Sequence, residues 1–128
     1  MRTRSLIGAL VLGAAALATA GAASAEALSL VCRLQVTARG GHRSIGRRLD
    51  IDLGRKTVRI SDDLGRGWVF KNEYPFVSAD RGRILLESGG GKESDVDRVS
   101  GTYFFRNQAD GVTMRGPCQK AAPARPRF

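Results

Sequence analysis

Carboxylates come nearest to a reactive pattern in this chain. Asp62 and Asp63 are adjacent, and Glu93, Asp95 and Asp97 occupy alternate positions. Two acids flanking a cleft can cleave a glycosidic bond when they stand about 5–10 Å apart, and clustered carboxylate oxygens can hold calcium. Neither arrangement is specific here. Adjacent Asp residues in the Gly-rich run Asp62 to Gly67 suit turn geometry, and no Asp-x-Asp-x-Asp-Gly loop is present. A catalytic triad needs a histidine held by a carboxylate and touching a nucleophile. The sole histidine, His42, lies in a loop beside Gly40-Gly41. Gly89-Gly90-Gly91-Lys92 departs from the Walker phosphate loop at Leu86 and Glu93, where that pattern requires Gly and Ser or Thr. The residues therefore predict no catalytic set, no metal site and no cofactor, and acid-pair hydrolysis by Asp62, Asp63, Asp95 or Asp97 is the weakest functional reading.

The N-terminus gives the firmest expectation. Arg2 and Arg4 precede an uncharged, Ala-rich stretch that closes on Ala23-Ser24-Ala25, the three-part layout of a cleavable secretory signal. Residues 1–25 are read as that signal, with cleavage after Ala25 and a periplasmic or secreted destination. No other stretch is long and apolar enough to span a bilayer. The remaining 103 of the 128 residues fit one small domain, 26–120, followed by a disordered basic tail, 121–128, with Pro123, Arg125, Pro126 and Arg127. The only two cysteines, Cys32 and Cys118, sit near the two ends of that domain. In an oxidising compartment they are expected to pair. Closing their 86-step loop raises the unfolded chain by roughly 4.5 kcal/mol in the chain-entropy model.

The domain reads as short strands separated by Gly-containing turns. Leu28, Leu30, Cys32, Leu34 and Val36 share one parity, and Ile45, Leu49, Ile51 and Leu53 another, with Val58 and Ile60 continuing after the reversal at Leu53 to Thr57. Arg47 falls on the inward parity, which places the start of the second strand near that residue. Asp62 to Gly67 is read as a turn, Trp68 and Phe70 share a face, Ile84 to Glu87 is a short strand, and Gly89 to Ser94 is a flexible loop. Tyr103 to Phe105 and Val112 to Cys118 supply the last strands, with Cys118 on an apolar face as Cys32 is. The expected architecture is all-β: an antiparallel meander or barrel of about seven strands, closed by a Cys32–Cys118 disulfide.

Basic charge is the one surface signal. The net charge of +9 falls to +7 once Arg2 and Arg4 leave. Seven positive residues between Arg39 and Arg59 face two acids, Asp50 and Asp52. Arg43, Arg48, Arg55, Lys56 and Arg59 are the candidate surface for an anionic envelope component or an acidic protein, since guanidinium forks suit phosphate and carboxylate groups. Aromatic residues are not interleaved with the basic ones as base stacking requires, so nucleic acid is not an expected partner. Trp68, Phe70, Tyr103 and Phe105 would line a cavity if the barrel carried a small ligand.

Val96-Asp97-Arg98-Val99-Ser100-Gly101-Thr102-Tyr103, followed by Gly116-Pro117-Cys118, resembles a hairpin and terminal Gly-x-Cys shared by a group of small exported bacterial proteins of uncharacterised function. The resemblance implies a fold and an address without an activity, and singles out Asp97, Arg98, Gly101 and Tyr103. Asp97 is suited to accept backbone hydrogen bonds and Gly101 to adopt positive φ. A looser likeness, at Ser100-Gly101-Thr102-Tyr103, is to periplasmic inhibitors of C-type lysozyme, whose Ser-Gly-x-x-Tyr element is one residue longer and whose later Trp-x-Lys-Gly element has no counterpart here. That likeness implies hydrolase inhibition. The leading expectation is a non-enzymatic exported protein that binds through its basic hairpin, with hydrolase inhibition or small-ligand carriage as alternatives.

Overall fold

The computed structural model describes residues 26 to 122, so the segment 1–25 expected to be a secretory signal lies outside the described residues. Among the described residues, nine antiparallel strands form one sheet: β1 (Ala27–Ala38), β2 (Gly41–Asp52), β3 (Thr57–Asp63), β4 (Trp68–Pro75), β5 (Ser78–Ala79), β6 (Arg83–Gly89), β7 (Lys92–Asp97), β8 (Thr102–Asn107) and β9 (Val112–Lys120). Their order is β4-β3-β2-β1-β9-β8-β7-β6-β5. The first and last strands thus pair at the centre of the sheet, and strands from the middle of the chain form its edges.

The all-β expectation holds, with two corrections. Nine strands replace seven, because β5 has only two residues and β7 begins at Lys92, inside the expected loop. The inward positions of β7 are Ser94 and Val96, both buried. One of the two is polar, which hides the apolar alternation that marks a strand. The second correction concerns closure: the sheet curls into an incompletely closed half-barrel. Joining β1 to β9 leaves two edges at β4 and β5, and Pro75 at the end of β4 has no N–H to continue a ladder.

Curling brings the inner face together. Leu30, Leu34, Leu49, Ile51, Val58, Ile60, Ile84, Leu86 and Val96 are buried there, each contributing about 1.5–3 kcal/mol of apolar burial. Cys32 and Cys118 stand directly opposite each other on β1 and β9 and are joined by a disulfide. That register runs on to Gln35 opposite Arg115 and Val36 opposite Met114. Between them, Gly116 lies so close to β1 that a Cβ would collide with the Arg33 carbonyl and stand 3.0 Å from the Leu34 Cα. Those are backbone atoms and cannot swing aside. Gly116→Ala is therefore expected to lower stability by about 1–3 kcal/mol, read as a lower urea midpoint at unchanged slope.

Two bulges decide which side chains point inward. On β4 the partners step from Phe70 opposite Ser61 to Asn72 opposite Ile60, leaving Lys71 extra. On β6 they step from Leu85 opposite Asp95 to Glu87 opposite Ser94, leaving Leu86 extra. Each extra residue reverses the parity beyond it. Tyr74 and Glu87 consequently turn inward, while Trp68 and Phe70 stay on the outer face.

Candidate functional site

Inside the curl, polar groups from six strands meet. Arg47 donates from Nε to Asp62 Oδ1 at 2.7 Å, from Nη2 to Asp62 Oδ2 at 2.9 Å, and from Nη1 to the Tyr103 hydroxyl at 2.9 Å. Arg47, Asp62 and Tyr103 are 8%, 7% and 0% exposed. Next to them, the Tyr74 hydroxyl donates to Glu87 Oε1 at 3.4 Å, and the Ser94 hydroxyl donates to the same oxygen at 3.3 Å. The Tyr74–Glu87 contact joins β4 to β6 and so spans the opening of the half-barrel. Burial opposes the Arg47 charge, but the hydrogen bonds to Asp62 and the attraction of Tyr103 and Asp62 outweigh it, so its pKa is raised. Burial pushes the Tyr103 hydroxyl up, against the pull of Arg47, and burial with the nearby Glu87 charge does the same for Tyr74. Every group here has a partner within the chain, and the cluster reads as an internal brace linking opposite walls.

Arg47 thus corrects the sequence reading. Its inward parity marked a buried ion pair, while the strand itself begins at Gly41. Asp62, expected in a turn, belongs to β3. The other acids of the hydrolase reading lie on the opposite side of the sheet. Asp63 accepts the Gly65 and Gly67 N–H groups, and Asp95 binds Arg83 at 2.7 Å. Backbone N–H groups hold both Asp63 and Asp97 below the usual carboxylate range. Among the described residues, no three His, Cys, Asp or Glu side chains converge as metal ligands would. His42 is on β2 and not in a loop, exposed, with Nδ1 3.2 Å from Thr37 Oγ1.

The Asp97 motif builds a turn that fastens its neighbours. Asp97 Oδ1 accepts the N–H of Val99 at 2.9 Å and of Ser100 at 3.1 Å. Gly101 has φ +74° and its carbonyl accepts the Cys118 N–H at 2.7 Å. The backbone N–H and side chain of Arg98 bond the carbonyls of Gly82 and Asp80. The motif therefore positions the terminal Gly-x-Cys strand and the β5–β6 turn.

The basic hairpin does not present one free surface. Arg48 pairs with Asp50 at 3.1 Å and also donates to the Ala122 carbonyl. Ala121 bonds the Ser29 carbonyl, so the first two residues of the expected tail are held against the sheet, and the remainder falls outside the described residues. Arg59 pairs with Glu73 at 3.2 Å and lies 4.1 Å from the centre of the Phe70 ring. Arg55 sits 4.0 Å from Asp52, beside Lys56 at the β2–β3 tip. Arg43 lies at the other end of β2, on the rim of a cleft of about 400 Å³ whose apolar lining includes Val36, Phe105, Val112 and Met114. The four aromatics of the cavity reading separate: Tyr103 is buried and Phe105 half-buried, whereas Trp68 and Phe70 are 46% and 49% exposed.

Two arginines outside that segment form a more open group. Arg33 on β1 and Arg115 on β9 point to the outer face, are exposed, and have no ion-pair partner among the described residues. The β1–β9 register sets them diagonally, within about 7–8 Å backbone to backbone. Arg115 lies 5.0 Å from the centre of the outward Phe104 ring. Arg33 borders an outer cleft of about 340 Å³, shared with Ser44, Gly46, Leu64, Trp68 and the turn-bound Asp63, and Gly46 leaves the room that the indole occupies. Sequence reasoning missed this pair because only the β1–β9 register makes them neighbours. The outward parity of Arg33 and Arg115 relative to Cys32 and Cys118 was the available signal.

Fold and site define a disulfide-linked, curled antiparallel sheet with an arginine- and aromatic-bearing outer face. No family model, curated protein or solved structure matches the chain, so the functional reading rests on this geometry.

Proposed function

We propose that this chain is an exported, non-enzymatic binding protein that takes an anionic envelope component on the outer face of its sheet. The observation that carries the reading is the pair Arg33 and Arg115, exposed, unneutralised and flanked by Trp68 and Phe104. Arg33 and Arg115 stand at the centre of the sheet, on the two strands the disulfide joins, so their spacing is pre-organised. Guanidinium forks beside aromatic faces favour phosphate, sulfate or carboxylate groups. The basic hairpin contributes at its margin, since Arg48, Arg55 and Arg59 already have carboxylates.

Binding of dextran sulfate, a soluble polyanion without acyl chains, tests the reading. Arg33→Glu with Arg115→Glu is expected to weaken it on the order of tenfold or more, the scale of one or two charge-assisted hydrogen bonds. Arg55→Glu with Lys56→Glu makes the same change in net charge at the β2–β3 tip and is expected to weaken it about threefold or less, as for exposed charges. Equal losses from the two pairs would mean that overall charge, and not this face, binds.

A second reading has its own observation: the apolar cleft with Arg43 on its rim has the size of a small-ligand pocket and suits an amphiphilic anion. Tight binding of a medium-chain fatty acid, lost in Met114→Glu, would favour it.

A further inference from the structure

Among the described residues, Val77 and Val99 are exposed singly, whereas four other apolar side chains are exposed as neighbours. Leu64, Trp68, Val69 and Phe70 are 65%, 46%, 61% and 49% exposed. Trp68 and Phe70 lie on the outer parity of β4, whereas Val69, opposite Asp62, lies on the inner one. Apolar side chains therefore project from both sides of an edge strand, and Leu64 projects from the turn that leads into it. A flat protein-docking face would collect them on one side. A wedge apolar on both sides is buried most fully by a medium that closes around it.

Strand addition is poorly served by this edge. The bulge at Lys71 and the proline at Pro75 interrupt β4, and such devices guard edges against pairing. The flanking charge favours an anionic medium. Arg66 and Lys71 have no ion-pair partner among the described residues, while Glu73 is held by Arg59 and Asp63 accepts two N–H groups of the turn. Large apolar side chains flanked by Lys and Arg settle at the interface of anionic bilayers.

We propose that the β3–β4 hairpin from Leu64 to Lys71 is an interfacial anchor for an anionic phospholipid bilayer. Leu64, Trp68, Val69 and Phe70 enter the headgroup region, and Arg66 and Lys71 meet the phosphates. The proposal rests on the anionic-partner reading above and names the partner.

Trp68 is the only tryptophan in the chain, so its fluorescence reports the hairpin alone, even if the apolar stretch from Ser5 to Ala25 also binds lipid. The full chain is titrated with phosphatidylglycerol–phosphatidylethanolamine vesicles and with phosphatidylcholine vesicles. The expected result is a blue shift and loss of access to an aqueous quencher on the anionic vesicles only, reversed by salt. Arg66→Glu with Lys71→Glu, and separately Phe70→Ser, each raise the lipid concentration needed on the order of tenfold. These side chains are exposed, and far-UV circular dichroism checks that the variants keep the fold.

An unmoved Trp68 on anionic vesicles overturns the proposal, whether or not the chain sediments with them. So does an equal blue shift from raising protein concentration alone, which would mean that a second copy covers the wedge. If dextran sulfate binding persists while Trp68 stays in water, the anchor fails and the wider reading stands; loss of both removes both.

Discussion

Replacing Asp62 with alanine is expected to destabilise the domain by about 3–5 kcal/mol, because it strips the counter-charge from a guanidinium that is 8% exposed. Arg47 has no route to neutrality, since arginine stays protonated in proteins. It must either draw water into the curl or swing out, and swinging out abandons its bond to Tyr103 across the interior. The cost is that of an uncompensated buried charge, which differs from the net worth of the pair. Changing both members together, Arg47→Met with Asp62→Leu, removes the unpaired charge and leaves only the buried Tyr103 hydroxyl without its partner, so the expected loss shrinks to about 1–3 kcal/mol. Urea unfolding of the oxidised protein separates the cases, with a large drop in midpoint for the single variant and a smaller one for the double. A single variant within about 1 kcal/mol of the parent would mean that the brace is already hydrated.

Removing the disulfide is expected to have an effect of similar size by a different route. The link closes 86 residue steps, so its loss restores roughly 4.5 kcal/mol of chain entropy to the unfolded state. Cys32→Ala with Cys118→Ala adds a smaller packing loss, because Cys32 is fully buried. Small domains are stable by about 5–15 kcal/mol in all, so the variant should sit near its unfolding transition at room temperature. Kinetics should show where the link acts. The β1–β9 pairing joins residues far apart in sequence, and without the cross-link that closure must be found by diffusion. Refolding is expected to slow more than unfolding accelerates. The reverse pattern would place the β1–β9 contact late in folding.

The apolar skeleton was legible in the sequence because it obeys period-two alternation. Leu28 to Val36 and Ile45 to Ile51 occupy the predicted face, the two cysteines share it, and Asp97 and Gly101 make the turn their types implied. Legibility failed wherever a polar residue faced inward or a bulge changed parity. Arg47 broke the apolar pattern of β2, and its charge argued for a strand boundary until Asp62 and Tyr103 supplied partners. Ser94 concealed β7 in the same way. Trp68 and Phe70 could not be assigned to the outer face, nor Tyr74 and Glu87 to the inner one, without the extra residues Lys71 and Leu86. Local composition also favoured the segment Arg39 to Arg59 as the basic surface, although ion pairing neutralises much of it. The open arginines come from strands at opposite ends of the domain, and only the register of Cys32 with Cys118 joins them.

A map of backbone amide chemical shifts during titration with a short sulfated oligosaccharide tests the central claim, an anion-binding outer face, most directly. The account predicts that the largest changes fall on β1 and β9 around Arg33, Gln35 and Arg115 and extend to the turn at Leu64 and Gly65, with the β2–β3 tip at Arg55 and Lys56 little affected. Changes confined to that tip, or to the mouth residues Val36, Val112 and Met114, or no change at all, would contradict it.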